Sequence, residues 1–199
     1  MKQSLVRRSS INTQIKIALL GAISFILMYF DFPLPFFPTF LKIDLSDIPA
    51  LIGTFALGPV AGIIIEFIKN LLYTLIKGSA SGFIGEFANF SIGAVWMIVA
   101  GVIYKQNKSR KNAVIALAAG FVAMSVFASL LNYFLLIPMY SRLFHMNFGN
   151  ISVLIATAIL PFNLIKGGIV SLGTLALYKK MSPLIHREAL IESREEISR

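Results

Sequence analysis

The chain has 199 residues, of which 57% are hydrophobic and only 14% charged, with a mean hydropathy of +0.79 and no cysteine. Soluble domains carry about 25% charged residues, so a soluble globular protein is excluded, as are disulfides, thiol chemistry and cysteine-ligated metals. The net charge of +9 suggests nucleic acid at first sight, but the basic residues are distributed as in a membrane protein. Lys2, Arg7, Arg8 and Lys16 precede or open the first apolar run; Lys105, Lys108, Arg110 and Lys111 fill one connection; Lys179, Lys180, Arg187, Arg194 and Arg199 follow the last run. The alternate connections hold only Lys42, Lys77 and Arg142. That is the positive-inside pattern, and a basic cytoplasmic face also favours anionic lipid.

In chain order, a short basic segment (1–13) leads to a first apolar run, Ile15–Phe30, with no small-residue cleavage site after it, which reads as a retained span. Ala18 and Ala22 stand four apart beside Gly21 and leave a shallow groove for another helix. The connection Asp31–Asp47 alternates Pro33, Pro35 and Pro38 with Phe32, Phe36, Phe37 and Phe40. Proline blocks helix and extends the residue before it, so an irregular, stiffened loop is expected. Its aromatic side chains belong either to an interfacial belt or to a lid over a pocket. Ile48–Leu57 is apolar but short and is broken by Gly58-Pro59, reading as a short span or a re-entrant segment. Val60–Ile76 contains Glu66, Lys69 and Asn70, with Glu66 and Lys69 spaced to pair on one helix face. After a Gly/Ser loop over Lys77–Gly82, the span Phe83–Tyr104 carries Glu86 and Asn89, and Gln106–Asn112 is the basic connection. Ala113–Ile137 is a full span with Asn132 and Tyr133 near its end, closed by Pro138; Met139–Asn150 is a mixed loop with His145. The last span runs to Tyr178, before a tail of alternating charges expected to form a helical turn or two. The predicted fold is all-α: a six-transmembrane-helix bundle (14–180) between a basic segment (1–13) and a charged tail (181–199), with both termini cytoplasmic.

The last span contains Pro161-Phe-Asn-Leu-Ile-Lys-Gly-Gly168. An ammonium in hydrocarbon costs about 2.5–3.5 kcal/mol or more unless something receives it. Asn163, three residues before Lys166, shares its helix face. Pro161 cannot donate to the carbonyl of Thr157, and Gly167-Gly168 permit close approach of another backbone. Counted from one end of the spans, Glu86, Asn89, Asn132 and Lys69 lie in the outer half, with Asn163 and Lys166 near the middle. The inner half is nearly free of polar groups. This describes a ligand cup open to the outer face with a floor near the midplane, not a pore, which needs polar lining at every depth. Carboxamides and an ammonium suit a neutral polyol or heteroaromatic, and the aromatic rim suits a flat ring.

Catalytic chemistry is absent from the pattern. No phosphate loop ending in Gly-Lys-Ser/Thr and no His-Glu-x-x-His occurs, and His145 and His186 are far apart. Gly78-Ser-Ala-Ser-Gly82 reads as a small-residue loop before it reads as a serine nucleophile with His145 as base. No enzyme and no cofactor are expected. Without an inverted repeat or an ion relay, an outward cup needs an energised partner.

These residues resemble a family. Ala18-x-x-x-Ala22, Asp47-Ile-Pro-Ala50, Glu66-Phe-Ile-Lys-Asn70, Gly85-Glu-Phe-Ala-Asn89, Asn132-Tyr133 and Pro161-Phe-Asn-Leu-Ile-Lys166 make residues 12–180 similar to the substrate-binding (S) components of energy-coupling factor (ECF) transporters, most closely the riboflavin-specific ones. The resemblance implies a six-helix bundle in the cell membrane that binds riboflavin with high affinity as transported substrate, under the loop between the first two spans. It further implies association with a transmembrane coupling subunit and two ATPases, docking through Ala18 and Ala22. Asn132, Asn163 and Lys166 would hydrogen-bond the vitamin, Phe40 and Leu41 would cover it, Tyr133 would complete the site, and Glu86 and Asn89 would complete it or brace the loop. The alternatives are an S component for another vitamin or for FMN, and a ligand-free structural subunit whose polar residues only join helices.

Overall fold

A computed structural model describes the backbone of residues 2–197 and the side chains of residues 11–178 and 180. The apolar runs fold as helices because backbone groups in hydrocarbon have to satisfy one another. Helix α1 (Lys2–Tyr29) is followed by strands β1 (Phe32–Pro33) and β2 (Lys42–Ile43), then helices α2 (Asp47–Leu57), α3 (Pro59–Lys77), α4 (Ile84–Gln106) and α5 (Arg110–Leu131). A π turn (Asn132–Leu136) joins α5 to α6 (Ile137–Phe144); α7 (Ile151–Leu154) passes through a second π turn (Ile155–Ile159) into α8 (Leu160–Ile197). Five helical stretches among the described residues are long and apolar enough to cross a membrane: Ile11–Tyr29, Pro59–Lys77, Ile84–Gln106, Arg110–Phe144 and Ile151–Tyr178. The chain is a multi-pass membrane protein.

The centre of the bundle is α2. Every residue from Asp47 to Phe55 is buried, and the helix packs against α1, α3, α4 and α8. Eleven residues rise only about 16 Å, well short of the hydrocarbon thickness, so the expected short segment is a core helix enclosed by the longer ones. Gly58, at φ +93°, donates its N–H to the Thr54 carbonyl at 2.9 Å and turns the chain directly into α3, where Pro59 occupies the first turn. Below it Phe55, Tyr104 and Tyr178 close one end of the core, with the two tyrosine hydroxyls 2.8 Å apart.

One expectation about proline and one about glycine are corrected. Pro138 does not end its span: the helix continues to Phe144, and the loop shrinks to 145–150. An α-helical Pro138 would press its ring on the carbonyl of Phe134. The π turn just before it relieves the clash, with the Ile137 N–H reaching back five residues to the Asn132 carbonyl. The same device precedes Pro161, where Leu160 N–H reaches the Ile155 carbonyl. Of the glycine pair that follows, Gly167 alone makes a close approach: a Cβ there would stand 2.8 Å from the Phe121 Cβ on α5, whereas Gly168 faces open space.

The Pro/Phe connection, expected to be irregular, folds back as a short hairpin with Phe32 opposite Ile43 and Pro33 opposite Lys42. Leu41 and Ile43 are buried against Ile137, Ile159 and Phe162, and Phe37 meets Phe162 edge-on at 5.7 Å. This packing makes it a lid on the bundle rather than an aromatic belt, with Phe36 at its tip fully exposed. The tail, expected to form a turn or two, continues α8 to Ile197, and the side chains of its charged residues lie outside the described ones.

Tyr104→Phe should lower stability by about 1–3 kcal/mol, since it strands the buried Tyr178 hydroxyl. The double change Tyr104→Phe, Tyr178→Phe should recover part of that loss. Thermal unfolding of the detergent-solubilised chain checks both.

Candidate functional site

Lys69 is fully buried on α3. Its ammonium pairs with the Asp47 carboxylate, stands 2.8 Å from Glu66 Oε2 and donates to Ser46 Oγ at 2.8 Å. Lys166 on α8 lies 3.1 Å from Asp44 Oδ2 and 3.3 Å from Asp47 Oδ2. Asp44 Oδ1 accepts the Ser46 N–H at 2.8 Å and also the Ser46 hydroxyl. The contacts close a ring, Lys69–Ser46–Asp44–Lys166–Asp47 and back to Lys69, which ties α3, the start of α2 and α8 together. Asp47 sits in the first turn of α2, where the helix dipole favours an acid. The expected Glu66–Lys69 pair is present, but Lys69 serves the ring and does not line the cup as expected.

Above the ring lie two cavities. The deep one, about 120 Å³, is a narrow cleft into which Asn132, Asn163, Lys166, Asn89, Phe40 and Leu41 all face. Trp96, Phe162 and Tyr140 supply aromatic walls. The second, about 510 Å³, opens toward the lid-side loops and adjoins the first, sharing Phe40, Lys42, Gly85, Asn89 and Tyr140 with it. Together they offer the concave volume, with few convergent polar groups, typical of a small-molecule site.

Asn132 and Asn163 adopt the same pose. Each donates one amide N–H to the carbonyl four residues before it, of Ala128 and Ile159 respectively, both at 2.8 Å. That leaves each carboxamide a carbonyl oxygen and a second N–H for a ligand. The π turn before Pro161 rotates Asn163, which follows it, around the helix; Asn132 opens its own π turn and keeps the direction that α5 gives it. Asn89 receives a 3.3 Å hydrogen bond from Asn70 on its oxygen, and its amide nitrogen remains as donor. Lys166 spends two of its three donors on Asp44 and Asp47 and retains one.

Other expected residues are placed differently. Glu86 lines the second cavity, and its Oε2 accepts from Ser79 at 2.8 Å and Ser81 at 3.0 Å, bracing the loop before α4. Tyr133 lines neither cavity; it is 42% exposed and packs edge-on against Phe134 at 4.9 Å. Successive helical residues do not share a face, so with Asn132 turned inward Tyr133 turns outward. Ala18 is exposed and Ala22 half-buried on α1, while Gly21 turns inward against Ile68.

The lid has a second anchor. Asp31, just before β1, accepts from Lys77 at 2.5 Å, Lys42 at 3.0 Å and the Tyr73 hydroxyl at 2.9 Å. Burial works to raise the Asp31 carboxyl, but the hydrogen bonds from Lys77, Lys42 and Tyr73 outweigh it and hold the group below its ordinary value of 3.8. Sequence reasoning missed Asp31, Asp44 and Ser46 because all three sit in a connection where polar residues are unremarked. The one signal was the need of Lys166 for a counter-charge.

The model of the family described as "ECF transporter, substrate-specific component" matches residues 12–178. This chain belongs to that family. The S component is 41% identical over 175 residues to "Riboflavin transporter RibU" of Staphylococcus aureus (strain TCH60), covering 87% of this chain and 92% of that one. It is 36% identical over 176 residues to "Riboflavin transporter FmnP" of Bacillus subtilis (strain 168), covering 86% and 93%. A solved structure of the S component of a bacterial ECF transporter superposes with a TM-score of 0.76 at 38% identity, covering 88% of this chain and 98% of that one. A transporter subunit, not an enzyme, is what this S component is.

Lys69→Met leaves Asp47 and Glu66 buried without their shared cation, a change that typically costs about 3–5 kcal/mol. A fall in the unfolding temperature in detergent is expected. The Asp31 anchor follows pH through its depressed pKa: its stabilisation is fully present above 3.8 and is lost as pH falls through the lowered value. Hydrogen exchange at the Ile43 amide should stay slow down to the ordinary carboxylate range and quicken only in stronger acid, and Asp31→Asn should remove that dependence.

Proposed function

We propose that this S component is the high-affinity riboflavin-binding subunit of an ATP-driven vitamin uptake transporter of the ECF type. The observation that carries the reading is the deep cleft, where the carboxamides of Asn132 and Asn163 converge with one free donor of Lys166 between aromatic walls. A carboxamide offers an acceptor and a donor side by side, complementary to the imide edge of the flavin ring. Trp96, Phe162 and Phe40 give that flat ring faces to lie against. The ring of charges beneath answers the Lys166 ammonium with carboxylates, which suits an uncharged heteroaromatic better than an inorganic ion. The names of the relatives, riboflavin transporters that cover nearly the whole chain, support the same ligand.

In this reading the cup opens to the outer face beneath the lid, α2 counts as the short sixth helix, and residues 14–180 form the membrane domain. The segment 1–13 and the tail 181–199 lie on the cytoplasmic side, as the placement of basic residues requires. Asn132, Asn163 and Lys166 hold the vitamin, Phe40 and Leu41 cover it, Asn89 adds a donor at the rim, and Glu86 braces the loop. The bundle has no energy source of its own, so a membrane coupling subunit and two ATPases supply it, docking on the Ala18–Ala22 face of α1, where small side chains permit close helix contact.

Lys166→Ala or Asn163→Ala should weaken riboflavin binding by about 1–3 kcal/mol, the scale for a lost buried hydrogen-bond partner. Quenching of flavin fluorescence measures it, and an unchanged affinity in a folded variant removes that residue from the site. Ala22→Leu should leave riboflavin binding intact while uptake by cells fails; normal uptake would displace the docking face.

A further inference from the structure

The ring beneath the cleft contains more acid than its neutrality requires. Asp44, Asp47 and Glu66 face the ammonium groups of Lys69 and Lys166. Asp47 bridges both lysines and Glu66 stands against Lys69 alone, so Asp44 is the one acid of the three that faces Lys166 without also serving Lys69. What distinguishes it is position. It follows β2 immediately and so belongs to the inner end of the lid stem, while its partner Lys166 lines the ligand cleft 122 positions away. Ser46 aims it: backbone N–H and hydroxyl both hold Oδ1, leaving Oδ2 to face the Lys166 ammonium. The stem itself has only two paired positions per strand, too few to hold a lid unaided. Asp31 ties the β1 side of its base to Lys42, Lys77 and Tyr73; Asp44 ties the β2 side of the same base.

We propose that Asp44 is a positioning residue that couples ligand contact at Lys166 to closure of the lid. A ligand that takes the remaining donor of Lys166 fixes the direction of the ammonium and with it the hydrogen bond to Asp44, so an occupied cleft holds the lid stem down. By linkage, a held stem retains the ligand. The inference rests on the riboflavin reading above, and the test is arranged to separate the two.

The chain lacks cysteine, so Phe36→Cys at the exposed lid tip accepts a single spin label. In the otherwise unaltered protein, saturating riboflavin should restrict the label. With Asp44→Asn added, riboflavin should dissociate about tenfold faster, as expected for loss of one charge-assisted hydrogen bond. Association should change by less than about twofold. The label should remain mobile at saturation. A lowered melting temperature with unchanged dissociation and normal restriction of the label would reduce Asp44 to a structural support and overturn the coupling. Ser46→Ala keeps every charge and removes one of the groups aiming Asp44; about threefold faster dissociation is expected. No shift there overturns the coupling even if Asp44→Asn does not fold. Failure of the parent chain to bind riboflavin overturns the functional reading and this inference together, whereas a binding parent with unaltered variants overturns the coupling alone.

Discussion

Two ammonium groups inside a hydrocarbon-bound bundle have to be neutralised where they stand, and the geometry of the S component follows from how that is done. Each buried ion carries a desolvation penalty of several kcal/mol, which only close counter-charges and satisfied hydrogen bonds offset. Lys69 and Lys166 meet this condition jointly, by sharing Asp47 and by recruiting Ser46 and Asp44. The ring therefore forms only when α3, α8 and the start of α2 are all in place. It fixes the depth of α2 in the bundle and gives the cleft its floor. It also explains why a helix too short to span can be the most buried element of a membrane protein: its N-terminus is held by charge, and its remaining length by apolar packing against four neighbours.

The cleft walls depend on a second constraint, proline within a helix. Pro138 and Pro161 each remove a backbone donor and crowd the preceding turn. In both helices a π turn absorbs the misfit, and in both an asparagine sits against that turn with its amide bonded four residues back. The result is a pair of carboxamides in equivalent poses on facing helices. A regular α-helix would have carried Asn163, which follows its π turn, elsewhere on the surface, so Pro161 acts on ligand geometry through the backbone.

The lid joins these two features to the outside. Its apolar residues, Leu41, Ile43 and Phe37, pack on the π-interrupted helices, and its ends are tied to acids, Asp31 at the rim and Asp44 at the ring. Hydrophobic contact supplies the adhesion, while the ion pairs set the register. A cover held mainly by packing at its centre and by charge at its edges can part without unfolding the bundle, because the core around Trp96, Leu51 and Tyr104 lies elsewhere.

Hydropathy and charge placement were enough to establish a membrane bundle, its long helices, the order of the connections and the polar residues worth watching, since in lipid every apolar run of sufficient length has one outcome. The residues Asn132, Asn163 and Lys166 were legible for the same reason: polar groups in such runs are too costly to be incidental. Only the tertiary structure decided what receives the Lys166 charge, because Asp44 and Asp47 lie more than a hundred positions away in a connection with no periodicity to betray its partners. It alone also decided that Pro138 continues a helix and that the aromatic connection is a lid. Those outcomes turn on an inserted backbone residue or on a packing partner distant in sequence, and local pattern carries information about neither.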